Sequence, residues 1–157
     1  MPIAVLVARL LIGGLLVVAG VLKAHDGPAN TAGIIAAYRI LPPLAVAPLG
    51  VALPYLEILL GGYLVAGLFT RVAAYLVALQ FLLFAGAVAS LVVRQIPANC
   101  GCFGSGVNTP PSWGHVGVDL LLALVALGIG RFAPGALAVD RWFAGGTVDA
   151  QTEGSNP

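Results

Sequence analysis

The sequence predicts an all-α protein, an integral membrane four-helix bundle with a short interfacial helix between helices one and two. Two observations carry this. The chain has 157 residues, of which 60% are hydrophobic and 8% charged, and its mean hydropathy is +1.04. A soluble domain carries about 25% charged residues, so an outer surface this poor in charge has to face lipid. The second observation is that four stretches each hold about 20 apolar residues, the length that crosses a hydrocarbon core at roughly 1.5 Å per residue. Seven basic and six acidic residues leave a formal charge of +1. That excludes a phosphate-tracking surface, so no nucleic-acid partner is expected.

The first span is expected over residues 3–22, interrupted by Arg9, and the second over about 44–69, with Pro48, Pro54 and Glu57 inside it. The third covers about 72–93 and contains Gln80, and the fourth runs from near Trp113 to Ile129 or beyond, with Asp119 near its start. A signal peptide is the rival reading of the first span. The missing charged n-region, the length of the apolar run and the sequence Lys23-Ala24-His25-Asp26 speak against it. Between spans one and two, residues 29–41 read as an interfacial helix stopped by Pro42 and Pro43. Thr70-Arg71 reads as a minimal turn that makes helices two and three antiparallel neighbours. The transmembrane domain is expected over residues 1–143, and the polar stretch 144–157 as a disordered tail.

Four spans put both termini on one side. Arg9, Arg71, Arg131 and Arg141 then fall toward that side, and Lys23, Arg39 and Arg94 toward the other. The positive-inside bias favours cytoplasmic termini and an extracytoplasmic loop at residues 94–111.

That loop holds both cysteines, in Asn99-Cys100-Gly101-Cys102-Phe103-Gly104. A Cys-x-Cys disulfide is within reach, because two residues span at most about 7 Å. Its small ring would be strained, and strained disulfides are readily reduced and tend to be labile or catalytic. Gly101 relaxes the backbone between the sulfurs. Three readings compete: a redox pair that exchanges disulfides, a soft-metal site for copper, zinc or mercury, and two thiols incidental to a glycine turn. Two ligands alone make a poor closed zinc site.

Downstream, His115 and Asp119 are four residues apart and share a helix face. Asp119 would orient the imidazole, and an imidazolium near a cysteine would favour its thiolate. The alternative is that Trp113 and His115 anchor the helix at the headgroups and Asp119 complements the helix N-terminus. Within the bilayer, Arg9, Glu57 and Gln80 each lie thirteen residues from the outer end of their expected span. That equal depth of about 20 Å predicts an Arg9–Glu57 ion pair with Gln80 as a hydrogen-bonding neighbour, since intramembrane charges pair and face the bundle interior. Arg9 has the alternative of snorkelling to the headgroups. Glycines 13, 14, 20, 61, 62 and 67 would let helices approach closely.

The order of these features resembles a known family. Residues 9–23 read R-L-L-I-G-G-L-L-V-V-A-G-V-L-K, residues 38–43 Y-R-I-L-P-P, and residues 53–67 L-P-Y-L-E-I-L-L-G-G-Y-L-V-A-G; N-C-G-C-F-G and S-W follow. This is similar to the MauE branch of the DoxX-like membrane proteins, over roughly residues 3–130. The resemblance implies a four-helix bundle in the inner membrane, a role in maturing disulfide-rich periplasmic proteins beside a thioredoxin-like partner, and, through DoxX-like relatives, a link to quinone. By position it implies Cys100 and Cys102 as redox residues and Glu57 as the acid of helix two.

The expected function is therefore a membrane thiol-disulfide redox protein. It would relay electrons through Cys100 and Cys102 with His115 and Asp119 beside them, and Glu57, Gln80 and Arg9 would form a polar site for a cofactor such as quinone. Its partners would be a thioredoxin-like or disulfide-containing protein and the lipid bilayer, within or outside a larger membrane complex. The alternatives are a soft-metal carrier and a structural subunit of such a complex.

Overall fold

A computed structural model describes residues 2–101, 104 and 109–132. The described residues form five helices, α1 (Pro2–Asp26), α2 (Pro28–Ala37), α3 (Pro43–Ala66), α4 (Thr70–Val93) and α5 (Trp113–Phe132). α1, α3, α4 and α5 are long and apolar enough to span a bilayer. Their outward faces carry exposed leucine, isoleucine and valine, among them Ile3, Leu11, Leu44, Leu83 and Leu124. Apolar side chains that point away from the core belong against lipid, so this is a multi-pass helical membrane protein, as the composition requires.

Local sequence sets each boundary. Gly27, at φ +89°, breaks α1 from α2, and Pro28 opens α2 without losing a needed donor. α2 stops at Ala37, before the prolines, because Arg39 turns to φ +52°. Pro43 then opens α3. α3 ends on left-handed Gly67, with the Gly67 and Leu68 N–H groups donating to the Tyr63 carbonyl. The turn to α4 occupies residues 67–69 rather than Thr70-Arg71, and an edge-to-face contact between Tyr63 and Phe69 braces it. Thr70 and Arg71 already belong to the first turn of α4.

The bundle consists of two closely packed pairs, α1 with α3 and α4 with α5. Sequence neighbours α3 and α4 touch less extensively. A Cβ added to Gly13 would come within 2.8 Å of the Gly61 carbonyl oxygen, and one added to Gly61 within 2.6 Å of the Gly13 carbonyl oxygen. Only glycine permits this backbone approach. The two pairs meet along a core that includes Ile12, Leu16, Leu64, Ala74, Val77, Phe81 and Ala126. α2 packs on α3 at the end of the bundle where α1 finishes and α5 begins. The tail at 144–157 lies outside the described residues.

Candidate redox site

The cysteine loop sits over that same end. Asn99 opens it as an Asx turn, its Oδ1 accepting from the Gly101 N–H at 3.1 Å. The Cys100 N–H donates to the Thr109 carbonyl at 3.0 Å, and the Cys100 carbonyl accepts from the Tyr38 hydroxyl at 2.6 Å. Arg94 Nη1 donates to the Tyr38 carbonyl at 3.0 Å. The residues after α2 and after α4 thus hold the loop together. Gly101 and Gly104 both take positive φ, +70° and +78°. A Cβ on Gly101 would lie 2.5 Å from Ile34 Cγ2, and one on Gly104 would overlap the Asp26 carboxylate. The glycines of C-G-C-F-G therefore serve two ends, left-handed backbone and close docking on α1 and α2. Cys100 is 4% exposed and packs in a cluster with Ala85, Val88 and Val116. Cys102, its expected partner, lies outside the described residues.

Below the loop, the polar residues expected at equal depth are arranged differently. Glu57, 1% exposed, pairs with Lys23: Lys23 Nζ donates to Glu57 Oε1 at 2.7 Å and Oε2 at 2.8 Å. Gln80 Nε2 donates to Glu57 Oε1 at 3.4 Å, so the Glu57–Gln80 neighbourhood holds. The expected Arg9–Glu57 pair does not form. Arg9 is fully buried, and its Nε donates to the Leu64 carbonyl at 2.9 Å and its Nη2 to the Val65 carbonyl at 3.4 Å. These carbonyls belong to the last turn of α3, where unpaired acceptors and the negative end of the helix dipole favour a cation.

The reason is helix register. Gly13 faces Gly61, and Gly20 faces Pro54 and Glu57. Glu57 therefore stands beside the outer half of α1, about two turns away from Arg9. The expected depths assumed that α1 ends at Leu22, whereas it continues to Asp26, which accounts for about one of those two turns. Lys23 was missed because it was read as a loop charge. Its signal lay in the helical period: Arg9, Ile12, Leu16, Ala19 and Lys23 form one buried stripe. A helical side chain leans toward its helix N-terminus, which aims Lys23 back into the bundle.

His115 and Asp119 share a face of α5 as expected, but the carboxylate does not hold the ring. His115 Nδ1 is 2.8 Å from Ser112 Oγ, and Asp119 Oδ2 is buried without a hydrogen-bond partner among the described residues. Both residues, with Glu57, line a cavity of about 410 Å³ between α1, α3, α4 and α5. Leu16, Phe81 and Phe84 supply much of its apolar wall. Three of the expected site residues thus meet in one space. Gln80 reaches it through Glu57, Arg9 does not line it, and Cys100 packs beside Val116, the neighbour of His115. Among the described residues no cluster of three or more His, Cys, Asp or Glu side chains could hold a metal ion.

A lipid-spanning bundle capped by a docked cysteine loop, with buried acids beneath it, defines a class of multi-pass membrane protein. The sequence profile of the family described as "Methylamine utilisation protein MauE" matches residues 1–131, and the chain belongs to that family. It is 35% identical over 106 residues to the methylamine utilization protein MauE of Paracoccus denitrificans, covering 67% of this chain and 57% of that protein. It is 32% identical over 107 residues to that of Methylorubrum extorquens, covering 68% and 58%, and 34% identical over 96 residues to that of Methylophilus methylotrophus, covering 60% and 48%. The chain thus spans about half the length of these curated relatives. No solved structure matches it.

Proposed function

We propose that this chain is a thiol-disulfide redox protein of the inner membrane, which relays electrons through Cys100 and Cys102 and supports the maturation of extracytoplasmic proteins in a methylamine-utilisation system. The observation that carries the reading is the construction of the cysteine loop. Tyr38, Arg94, Thr109 and two left-handed glycines fix the backbone around Cys100 at one end of the bundle. A turn whose thiols were incidental needs no such docking.

In the exchange, a thiolate on one cysteine attacks a partner disulfide and forms a mixed disulfide, and the partner's other sulfur leaves as a thiolate. The second cysteine then attacks the mixed disulfide, closing a Cys100–Cys102 bond and releasing the reduced partner. Run in reverse, the pair oxidises a partner dithiol. His115 lies at the mouth of α5 beside this loop and is suited to take or return the thiol proton. The partner is a thioredoxin-like or disulfide-containing protein.

The quinone implied by the resemblance fits the cavity rather than the Arg9 site. The space is large enough for a substituted ring, its walls are mainly apolar, and the O–H of the reduced quinol form would donate to Asp119 Oδ2, which has no donor among the described residues. A quinone bound there would supply the acceptor for the two electrons and two protons that closing the disulfide releases. His115 would donate to a carbonyl of the oxidised ring and Asp119 would accept from a hydroxyl of the reduced one, while Glu57, already paired with Lys23, lines the site with Gln80 beside it.

The reading extends to topology and ancestry. The termini are cytoplasmic and the cysteine loop extracytoplasmic. Arg9 and Lys23 are both buried in the bundle, which leaves Arg71, Arg131 and Arg141 against Arg39 and Arg94, an excess on the cytoplasmic side. The membrane domain extends over residues 1–143, and the chain groups with the DoxX-like proteins. The test is trapping. Single Cys→Ser variants in native membranes should accumulate a mixed disulfide with a protein partner that a reductant releases. No trapped partner, with maturation intact when both cysteines are replaced, would overturn the reading.

A further inference from the structure

Two arginines meet at the end of the bundle that carries the cysteine loop. Arg94, the C-cap of α4, and Arg39, just past α2, are both exposed. Arg94 Nη1 donates to the Tyr38 carbonyl at 3.0 Å and lies 3.5 Å from the Arg39 carbonyl oxygen, so the two side chains rise from one place on the surface. The remaining Arg94 nitrogens and the whole Arg39 guanidinium have no partner among the described residues. Neither arginine pairs with a carboxylate there. Glu57 and Asp119 are buried inside the bundle, and the Asp26 carboxylate packs against Gly104. Adjacent like charges without a counter-ion attract an anion. The surface around them is apolar. Val93, 69% exposed, precedes Arg94, Ile40 and Leu41 follow Arg39, and Leu44 is 90% exposed at the start of α3. α3 begins and α4 ends here, so this is the level at which hydrocarbon gives way to headgroups.

We propose that Arg39 and Arg94 bind the phosphate of an anionic phospholipid, whose acyl chains lie on the exposed apolar side chains beside them. A guanidinium matches phosphate oxygens with a planar fork of donors. Charge selects the headgroup. Two cations favour a lipid of net negative charge over a zwitterionic one, whose own ammonium would face them. The apolar rim selects a lipid over other anions. A free phosphate leaves Val93 and Leu44 uncovered, and an acidic protein segment would have to displace lipid to reach them. The site uses neither cysteine and lies outside the cavity, so it stands independently of the thiol relay.

The test uses the full chain in detergent micelles, with lipid binding read by native mass spectrometry. The probes are palmitoyl-oleoyl phosphatidylglycerol and the phosphatidylcholine with the same chains, with inorganic phosphate and hexaglutamate as competitors. Phosphatidylglycerol should bind roughly tenfold tighter than phosphatidylcholine, the margin expected of two basic side chains at a headgroup. Arg39→Gln breaks no side-chain hydrogen bond within the protein and should remove most of that margin, and Arg39→Lys should retain part of it. Arg94→Gln should also reduce it. Replacing Arg71 and Arg131 by glutamine, at the opposite ends of α4 and α5, should leave it in place. Equal affinity for the two lipids, a margin that survives Arg39→Gln, or an equal loss in the Arg71 and Arg131 variant would overturn the site. Displacement of the lipid by phosphate would make a free anion the occupant, and displacement by hexaglutamate an acidic protein; either would overturn the proposal.

Discussion

Lys23 Nζ lies 2.7 Å from Glu57 Oε1, and both side chains are almost wholly buried in a lipid-spanning bundle. The pair joins the last turn of α1 to the middle of α3, so it locks the register of one of the two closely packed helix pairs. Removing one member leaves the other charge buried alone, which costs about 3–5 kcal/mol, whereas removing both costs far less. Lys23→Met and Glu57→Leu should each lower unfolding stability strongly in detergent, and the double variant should recover most of the loss. A double variant whose loss equals the sum of the singles would show that the two are not coupled.

Arg9 acts independently of that pair. It satisfies the Leu64 and Val65 carbonyls at the end of α3. Arg9→Met should cost about 1–3 kcal/mol through unpaired buried acceptors. Its effect should add to that of Glu57→Leu within about 0.5 kcal/mol. A double-mutant cycle with a large coupling term would restore the Arg9–Glu57 pair that equal depth predicts.

The Tyr38 hydroxyl and the Gly101 backbone hold Cys100 in place. Tyr38→Phe removes about 1 kcal/mol of hydrogen bonding and should speed alkylation of Cys100 roughly fivefold. Gly101→Ala adds a left-handed penalty of about 1–2 kcal/mol to a clash with Ile34, and should speed it further. Quench-labelling followed by mass spectrometry reads both rates. Unchanged rates in both variants would mean that neither residue shields the thiol.

Cys100 is 4% exposed, and a buried sulfur is poorly placed to meet a partner's disulfide first. Cys100 is therefore expected to resolve and Cys102 to attack. Cys100→Ser should accumulate the mixed disulfide several-fold more than Cys102→Ser does. Non-reducing gels of native membranes give the ratio, and the reverse asymmetry would assign the roles the other way.

The spans were legible because hydropathy alone decides what can cross lipid, and Glu57, His115 and Asp119 do meet in one cavity. Register was not legible. Counting depth from span ends cannot register that α1 continues past Leu22, and a shift of two turns exchanges one cation for another. The stripe of Arg9, Leu16 and Lys23 carried the missing information, since a cation in step with buried leucines is itself buried. The Tyr38 and Arg94 contacts to the loop join residues 55 or more positions apart, and no local pattern encodes them.

The central claim is best tested by a redox titration of the Cys100/Cys102 pair in native membranes, read by the mass added with a membrane-impermeant thiol reagent from the extracytoplasmic side. The expected result is a reversible two-electron transition between dithiol and disulfide, with labelling from that side. Thiols that stay reduced at every poise, or that react only from the cytoplasm, would contradict it.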